Sequence, residues 1–231
     1  LGSIACSEEE LEKRLFEFGV ELDDVYEEDG RTMYKLDIAA NRYDLLCAEG
    51  LTAALRAFVY GVRYTDISAE APRITVHKYP TDDRPHIACA VIRNISLTQE
   101  SYDSLISYQD KLHQSIGRGR SIAAIGTHDA DKLDGQIVYK EVVLGDLSFV
   151  PLGAGAAVNG AELEDHFRDD KKISRYFGLL KDRSRSVAFY AGGRVMSVPP
   201  IINSEATRLS LSTKNIFIEV TGTDFEGSTR C

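Results

Sequence analysis

Residues 195–224 read VMSVPPIINSEATRLSLSTKNIFIEVTGTD, and this stretch decides the fold of the chain around it. Residues 194–198 have the composition of a strand. Pro199-Pro200 cannot donate to a central ladder, so the pair ends that strand or places it at an edge. Residues 207–212 and 215–221 are expected as two further strands, joined across Thr213-Lys214. In the last of them, alternation puts Ile216, Ile218 and Val220 on one face. Phe217, Glu219 and Thr221 share the other. A carboxylate, a hydroxyl and an aromatic side by side suit the floor of a pocket for a polar-tipped ligand. An amphipathic strand with one wet face carries the same pattern.

Working outward, residues 187–191 form a strand that turns at Gly192-Gly193 into the group just described. Residues 136–144 read as another strand, and residues 151–160 as a glycine- and alanine-rich loop. Residues 162–167 make a short helix. Asp169-Asp170 can cap a second, with Ile173, Tyr176, Phe177 and Leu180 facing inward. Further upstream, residues 86–94 read as a buried strand. Thr98 starts a helix carrying Leu105, Leu112 and Ile116 on one side. That helix runs into a locally basic segment in which Arg118 and Arg120 flank a glycine. A flexible loop there would present two guanidinium forks to phosphates. A solvated helix end, its cations complementing the dipole, accounts for the same residues. His128 beside Asp129 reads as a hydrogen-bonded structural pair, since no second ligand cluster sits nearby, and no metal site is assigned.

The amino-terminal third has a different character. Ser7 followed by Glu10 is a capping-box pattern opening a helix with Leu11, Leu15 and Phe18 on its stripe, and Gly19 stops it. Residues 21–30 are acidic and read as a mobile loop. Residues 32–38 alternate as a strand. Asn41, Arg42 and Asp44 build a polar turn, with Asp44 placed to cap a helix carrying Cys47, Leu51, Ala54, Leu55 and Phe58. Gly61 ends that helix. Residues 62–85, with three prolines, read as a hinge-like connection containing a short strand at 73–79, and the domain boundary falls near Glu70. The expected fold class is α+β. A small α/β domain (1–70) precedes a larger mixed domain (71–231) with a predominantly antiparallel sheet.

Composition sets outer limits. The 231 residues allow a sizeable core. A formal net charge of -9 excludes a uniformly basic nucleic-acid coat, so any RNA contact needs a local positive patch. Cys6, Cys47, Cys89 and Cys231 make no CxxC pair, and reduced cytosolic thiols are the simplest reading. No long apolar run suggests a membrane span. The chain reads as a piece of a longer polypeptide. It contains no Walker-type phosphate loop, no dinucleotide glycine fingerprint and no GxSxG elbow.

Several words of the sequence are carried together. They are Pro199-Pro200-Ile201-Ile202-Asn203 and Asn215-Ile216-Phe217-Ile218-Glu219, the latter running into Thr221-Gly222-Thr223-Asp224. Upstream lie Leu36-Asp37-Ile38 with Asn41-Arg42-Tyr43-Asp44-Leu45-Leu46, Gly117-Arg118-Gly119-Arg120, and Ile125-Gly126-Thr127-His128-Asp129. In these the chain resembles the β subunits of phenylalanine–tRNA ligases of the archaeal and eukaryotic-cytosolic type. It differs from bacterial members, having no inserted oligonucleotide-binding barrel between Ile38 and Val62. The His and Asn side chains of the bacterial editing site have no aligned counterpart, which leaves His113, Thr127 and His128 without assigned roles.

The resemblance implies an editing domain that hydrolyses tyrosyl-tRNA(Phe). It implies tRNA contact at Arg118 and Arg120, and an editing pocket formed by Glu219, Thr221, Ser197 and Asn203. Glu219 would accept a hydrogen bond from the tyrosine hydroxyl. No nucleophile–histidine–acid array is legible, so catalytic residues are not assigned, and attack by a positioned water is the expected chemistry. The resemblance further implies a cytoplasmic enzyme whose catalytic α subunit supplies an ATP- and Mg-dependent synthetic site within an (αβ)2 tetramer. The fragment itself needs no cofactor. A module that binds tRNA or an amino acid without hydrolysis, or a purely structural one, is the alternative.

Overall fold

The computed structural model describes residues 7–61, 69–71 and 73–224. The chain divides into two compact units, residues 1–70 and 71–231.

In the first unit, helix α1 (Glu8–Phe18) starts at Ser7, whose hydroxyl accepts from the Glu10 amide, and stops at Gly19 in the left-handed region. Strands β1 (Glu21–Glu28) and β2 (Arg31–Asp37) pair antiparallel. They turn at Asp29 and Gly30, both at positive φ as a two-residue hairpin requires. The acidic segment expected as a mobile loop is therefore a strand. Its register slips between Leu22 and Asp24, so Leu22 and Val25 share the half-buried face across an odd spacing. That bulge breaks the alternation by which a strand is recognised. Helix α2 (Ala48–Tyr60) follows a short 3-10 turn. Its cap is Cys47 rather than Asp44. The Asp44 carboxylate instead takes two hydrogen bonds from Arg42, at 2.9 and 2.8 Å. Leu15, Val20, Leu45, Ala54 and Leu55 form the core of this unit.

The second unit contains, in order, β3 (Val76–Lys78), β4 (His86–Ile92), α3 (Gln99–Gln114), β5 (Ala123–Asp129), β6 (Ile137–Val143), β7 (Ser148–Phe149), β8 (Val158–Asn159), α4 (Leu163–His166), β9 (Arg185–Ala191), β10 (Arg194–Val198), β11 (Ile202–Asn203) and β12 (Ile216–Gly222). A five-stranded sheet runs β11-β10-β9-β6-β3, antiparallel except for the β3–β6 pair. A three-stranded sheet runs β4-β12-β5, antiparallel throughout. β7 and β8 form a small ladder of their own.

Alternation along β9 sends Val187, Phe189 and Ala191 to one side and Ala188 to the other. The first set meets Phe217 of β12, so the two sheets share a core. The second set packs on Phe149, Leu163, Phe167 and Phe177. Both faces of the five-stranded sheet are thereby buried.

Two strand expectations change. Residues 207–212 are irregular after a 3-10 turn, and β12 pairs with β4 and β5 instead. Side-chain hydroxyls take the donors a ladder would use: Thr213 Oγ1 accepts from the Ser210 amide at 3.0 Å, and Ser204 Oγ accepts from the Ala206 amide at 3.2 Å. Thr213 Oγ1 in turn donates to Asp129 at 2.9 Å. β4 is an edge strand with Cys89 and Ile92 exposed, not a buried one.

Candidate functional site

Glu219 lies in the centre of β12, opposite Gly126 of β5 and Cys89 of β4. Its face turns toward the five-stranded sheet, and it is 1% exposed. Two local features make room for a carboxylate there. A Cβ placed on Gly126 would come 2.5 Å from Glu219 Oε1 and 2.8 Å from its Cγ, so the side chain lies over a strand position that only glycine leaves open. The second feature is a bulge in β10. Val195 pairs with Tyr190 and Ser197 pairs with Phe189, which leaves Met196 as an extra residue. The bulge re-aims Ser197 across the sheet interface. Its hydroxyl donates to Glu219 Oε1 at 2.5 Å.

Glu219 Oε2 is buried and has no hydrogen-bond partner among the described residues. His128, also fully buried, has Nδ1 2.7 Å from Thr207 Oγ1. Its Nε2 lies 3.6 Å from Glu219 Oε1, beyond hydrogen-bond reach, and likewise has no partner among the described residues. His128 therefore bonds to Thr207 rather than to Asp129. The order of contacts is serine to carboxylate, with imidazole beside the carboxylate, so the serine proton faces a carboxylate oxygen and not an imidazole nitrogen. That is not the arrangement of a nucleophile–histidine–acid triad.

Glu219 borders a chamber of about 20 Å³ with Gly126, Pro199, Pro200 and Asn203. A larger cavity, about 250 Å³, adjoins it. Arg120, Ile125, Ile202 and Asn203 line both. The Asn203 amide donates to the Thr127 carbonyl at 3.4 Å. The outer wall of the larger cavity comes from α3, through Tyr102, Ile106, Gln109 and Asp110 at helical spacing, and from Lys172 and Tyr176 across the opening. Of these six, only Tyr176 figured in the sequence reading, and there only as an inward-facing helix residue. Their spacing marked only an amphipathic helix, and nothing local marks the opposite wall.

Ser197, Glu219 and Asn203 are thus brought together, and Thr221 is not. It shares the Glu219 face but is claimed by Arg84, whose Nε donates to Thr221 Oγ1 at 2.9 Å and Nη2 to its carbonyl at 2.8 Å. Thr221 lines neither cavity. Arg84 is 2% exposed, and burial pushes its guanidinium down to about 10.

The two basic-loop arginines also part company. Arg118, Gly119 and Arg120 all have positive φ, in a turn fastened by the Gly119 and Arg120 amides to the His113 carbonyl. The segment is a held turn rather than a flexible loop. Arg118 is exposed. Arg120 turns inward, donating to the Pro200 and Ile201 carbonyls at 3.0 and 3.1 Å with its guanidinium 4.1 Å over the Tyr176 ring. It acts as a wall of the cavity.

His113 is structural. Its Nε2 accepts from the Ile125 amide at 2.8 Å, and burial lowers its pKa below the ordinary imidazole value. Among the described residues, no group of three or more His, Cys, Asp or Glu side chains is gathered for a metal. Nor is any described helix long and apolar enough to cross a membrane.

A family model described as "Phe-tRNA synthetase beta subunit B1 domain" matches residues 1–60. The chain is 51% identical over 217 residues to a probable phenylalanine–tRNA ligase β subunit of Encephalitozoon cuniculi, covering 93% of this chain and 39% of that protein. It is 36% identical over 241 residues to the human phenylalanine–tRNA ligase β subunit, covering 95% of this chain and 41% of that one. The chain therefore spans about two fifths of the length of these curated relatives. The crystal structure of an N-terminal fragment of the phenylalanyl-tRNA synthetase β-subunit from Pyrococcus horikoshii superposes with a TM-score of 0.85 at 33% identity. It covers 96% of this chain and 65% of that one.

Proposed function

Because the chain belongs to the phenylalanine–tRNA ligase β-subunit family, as an N-terminal part of it, we propose that its second unit is an editing module that hydrolyses tyrosyl-tRNA(Phe). The observation that carries this reading is the buried, half-satisfied carboxylate of Glu219 at the inner end of a cavity. Tyrosine is phenylalanine plus one hydroxyl. An apolar pocket rejects such an addition by only about a hundredfold. A second site that requires the hydroxyl does better. Ser197 occupies Oε1, so Oε2 is the oxygen left to accept from a phenol. Phenylalanine would leave it bare, at a cost of about 1–3 kcal/mol, and more for a charged group.

The small chamber has room for about one water molecule. The ligand ring therefore occupies the larger cavity, and the hydroxyl reaches Glu219 as Asn203 gives up its long bond to Thr127. The ester carbonyl stays on the outer side, where a water held by polar groups attacks and the ribose hydroxyl leaves. The residues that position this water are not assigned. In the whole enzyme, the ATP- and Mg-dependent attachment of phenylalanine belongs to regions outside this chain. A catalytic α subunit, in an (αβ)2 assembly in the cytoplasm, is the partner we place there.

The test is deacylation of tyrosyl-tRNA(Phe) by the parent and by Glu219→Ala. Release by the parent and its loss in the variant support the reading. Retained release in the variant removes Glu219 from the role. Binding of tyrosyl-tRNA without release by the parent replaces editing with a binding module.

A further inference from the structure

Two carboxylates line the paired cavities: Glu219 at the closed end, and Asp110 on the α3 wall of the larger one. An aminoacyl ester of tyrosine also has a donor at each end, the phenol and the α-ammonium. The geometry points to Asp110 as the anchor for that ammonium group, with Lys172 holding its place until the ligand's own cation displaces it. This rests on the editing reading for the identity of the ligand, but not on the hydrolytic step.

The elements that carry the two carboxylates are tied together. Gly126, opposite Glu219, lies between Ile125 and Thr127 on β5. Gln109 of α3 donates to the Ile125 carbonyl at 2.8 Å and accepts from the Thr127 hydroxyl at 3.1 Å. His113, one turn on, accepts from the Ile125 amide. Asp110 sits between these two ties, so its backbone is held against the strand that supports Glu219.

Its charge is secure. The neighbouring His113 imidazole and the Lys172 ammonium hold the Asp110 carboxyl well below the usual carboxylate range. Its present partner is replaceable. Lys172 Nζ lies 2.6 Å from Asp110 Oδ2, but the lysine side chain is 62% exposed and the carboxylate 37%. Exposed pairs of this kind hold weakly. The remaining cations on the wall are already engaged. Arg120 is spent on Pro200 and Ile201, and Arg208 lies 3.1 Å from Glu205. An incoming ammonium therefore meets one carboxylate whose cation can step aside. Lys172, once displaced, is placed at the mouth where the phosphate of an RNA ester would lie.

The experiment compares binding of L-tyrosine methyl ester and N-acetyl-L-tyrosine methyl ester by calorimetry. Acetylation removes the ammonium and keeps the phenol. The parent should bind the free amine at least about tenfold tighter, as expected for a charge-assisted hydrogen bond. Asp110→Asn should abolish that preference and leave the acetylated ester's Kd unchanged within about twofold. Lys172→Met should tighten the free amine several-fold, which a merely structural ion pair would not do. Glu219→Gln should weaken both esters alike and preserve their ratio. Equal binding of the two esters by the parent, a preference that survives Asp110→Asn, or weaker binding in Lys172→Met would overturn the assignment. An Asp110-dependent preference in a protein that fails to deacylate tyrosyl-tRNA would sink editing and leave the anchor standing. Deacylation indifferent to Asp110 would do the reverse.

Discussion

Replacing Gly126 with alanine tests the placement of Glu219 without touching the carboxylate itself. The three heavy atoms nearest the new Cβ all belong to Glu219, at 2.5, 2.8 and 2.9 Å. Gly126 has no left-handed backbone requirement, so the whole effect comes from that contact. Because Glu219 is 1% exposed and sealed between two sheets, its side chain cannot swing away freely. Overpacking a tight core costs about 1–3 kcal/mol. In a unit of this size each kcal/mol lowers Tm by about 2–4 °C, so Gly126→Ala should lose roughly 2–12 °C. The decisive comparison is a double-mutant cycle with Glu219→Ala, read by thermal unfolding. With the glutamate gone, the new methyl group meets none of the three atoms, and Gly126→Ala should cost close to nothing. The coupling should recover most of the clash. Deacylation of tyrosyl-tRNA should fall in Gly126→Ala alone. A penalty of the same size in both backgrounds would refute this account of the strand crossing.

Two further outcomes follow from buried basic side chains. Arg84→Met should destabilise the second unit by about 2–4 kcal/mol in denaturant unfolding, since charged hydrogen bonds to Thr221 are lost while relief of burying a charge offsets part of the loss. Arg84→Lys should rescue little, because one ammonium cannot span the Thr221 hydroxyl, its carbonyl and the Arg120 carbonyl together. His113 gives a pH signature. Its folded pKa is lowered by burial, so below the unfolded value of about 6.5 the unfolded chain takes up a proton that the native state refuses. Stability should therefore fall as pH drops through that window, by at most about 1.4 kcal/mol per pH unit for one proton. His113→Gln should flatten that part of the profile, as read by Tm between pH 7.5 and pH 5. An unchanged profile would remove His113 as its source.

The elements carried by local chemistry were legible in the sequence. Ser7 and Gly19 bound α1, Thr98 caps α3, and Gly192-Gly193 turns β9 into β10. Alternation in β12 correctly put Phe217 and Glu219 on one side, although that side meets a second sheet and not water. What the sequence did not reveal was long-range pairing. β12 is flanked by β4 and β5, which lie far upstream, and the hydroxyl-rich residues 207–213 beside it serve as a side-chain-bonded turn. The site depends on the same hidden pairing. Glu219 needs the missing Cβ of Gly126, and Ser197 needs the extra residue at Met196. Neither is visible until the register is known. Thr221 and Arg120 were assigned by position in a motif. The structure gives each a partner, Arg84 and the Pro200–Ile201 carbonyls, that no spacing rule identifies.

The most direct measurement is a crystal structure of the protein soaked with L-tyrosine methyl ester. The phenol oxygen should lie about 2.5–2.7 Å from Glu219 Oε2, as a hydroxyl bound to a carboxylate does, with the Asn203 amide moved off Thr127. A ring seated with its hydroxyl toward solvent, or Glu219 still sealed behind Asn203 while the ligand sits outside, would contradict the claim that this carboxylate distinguishes tyrosine from phenylalanine.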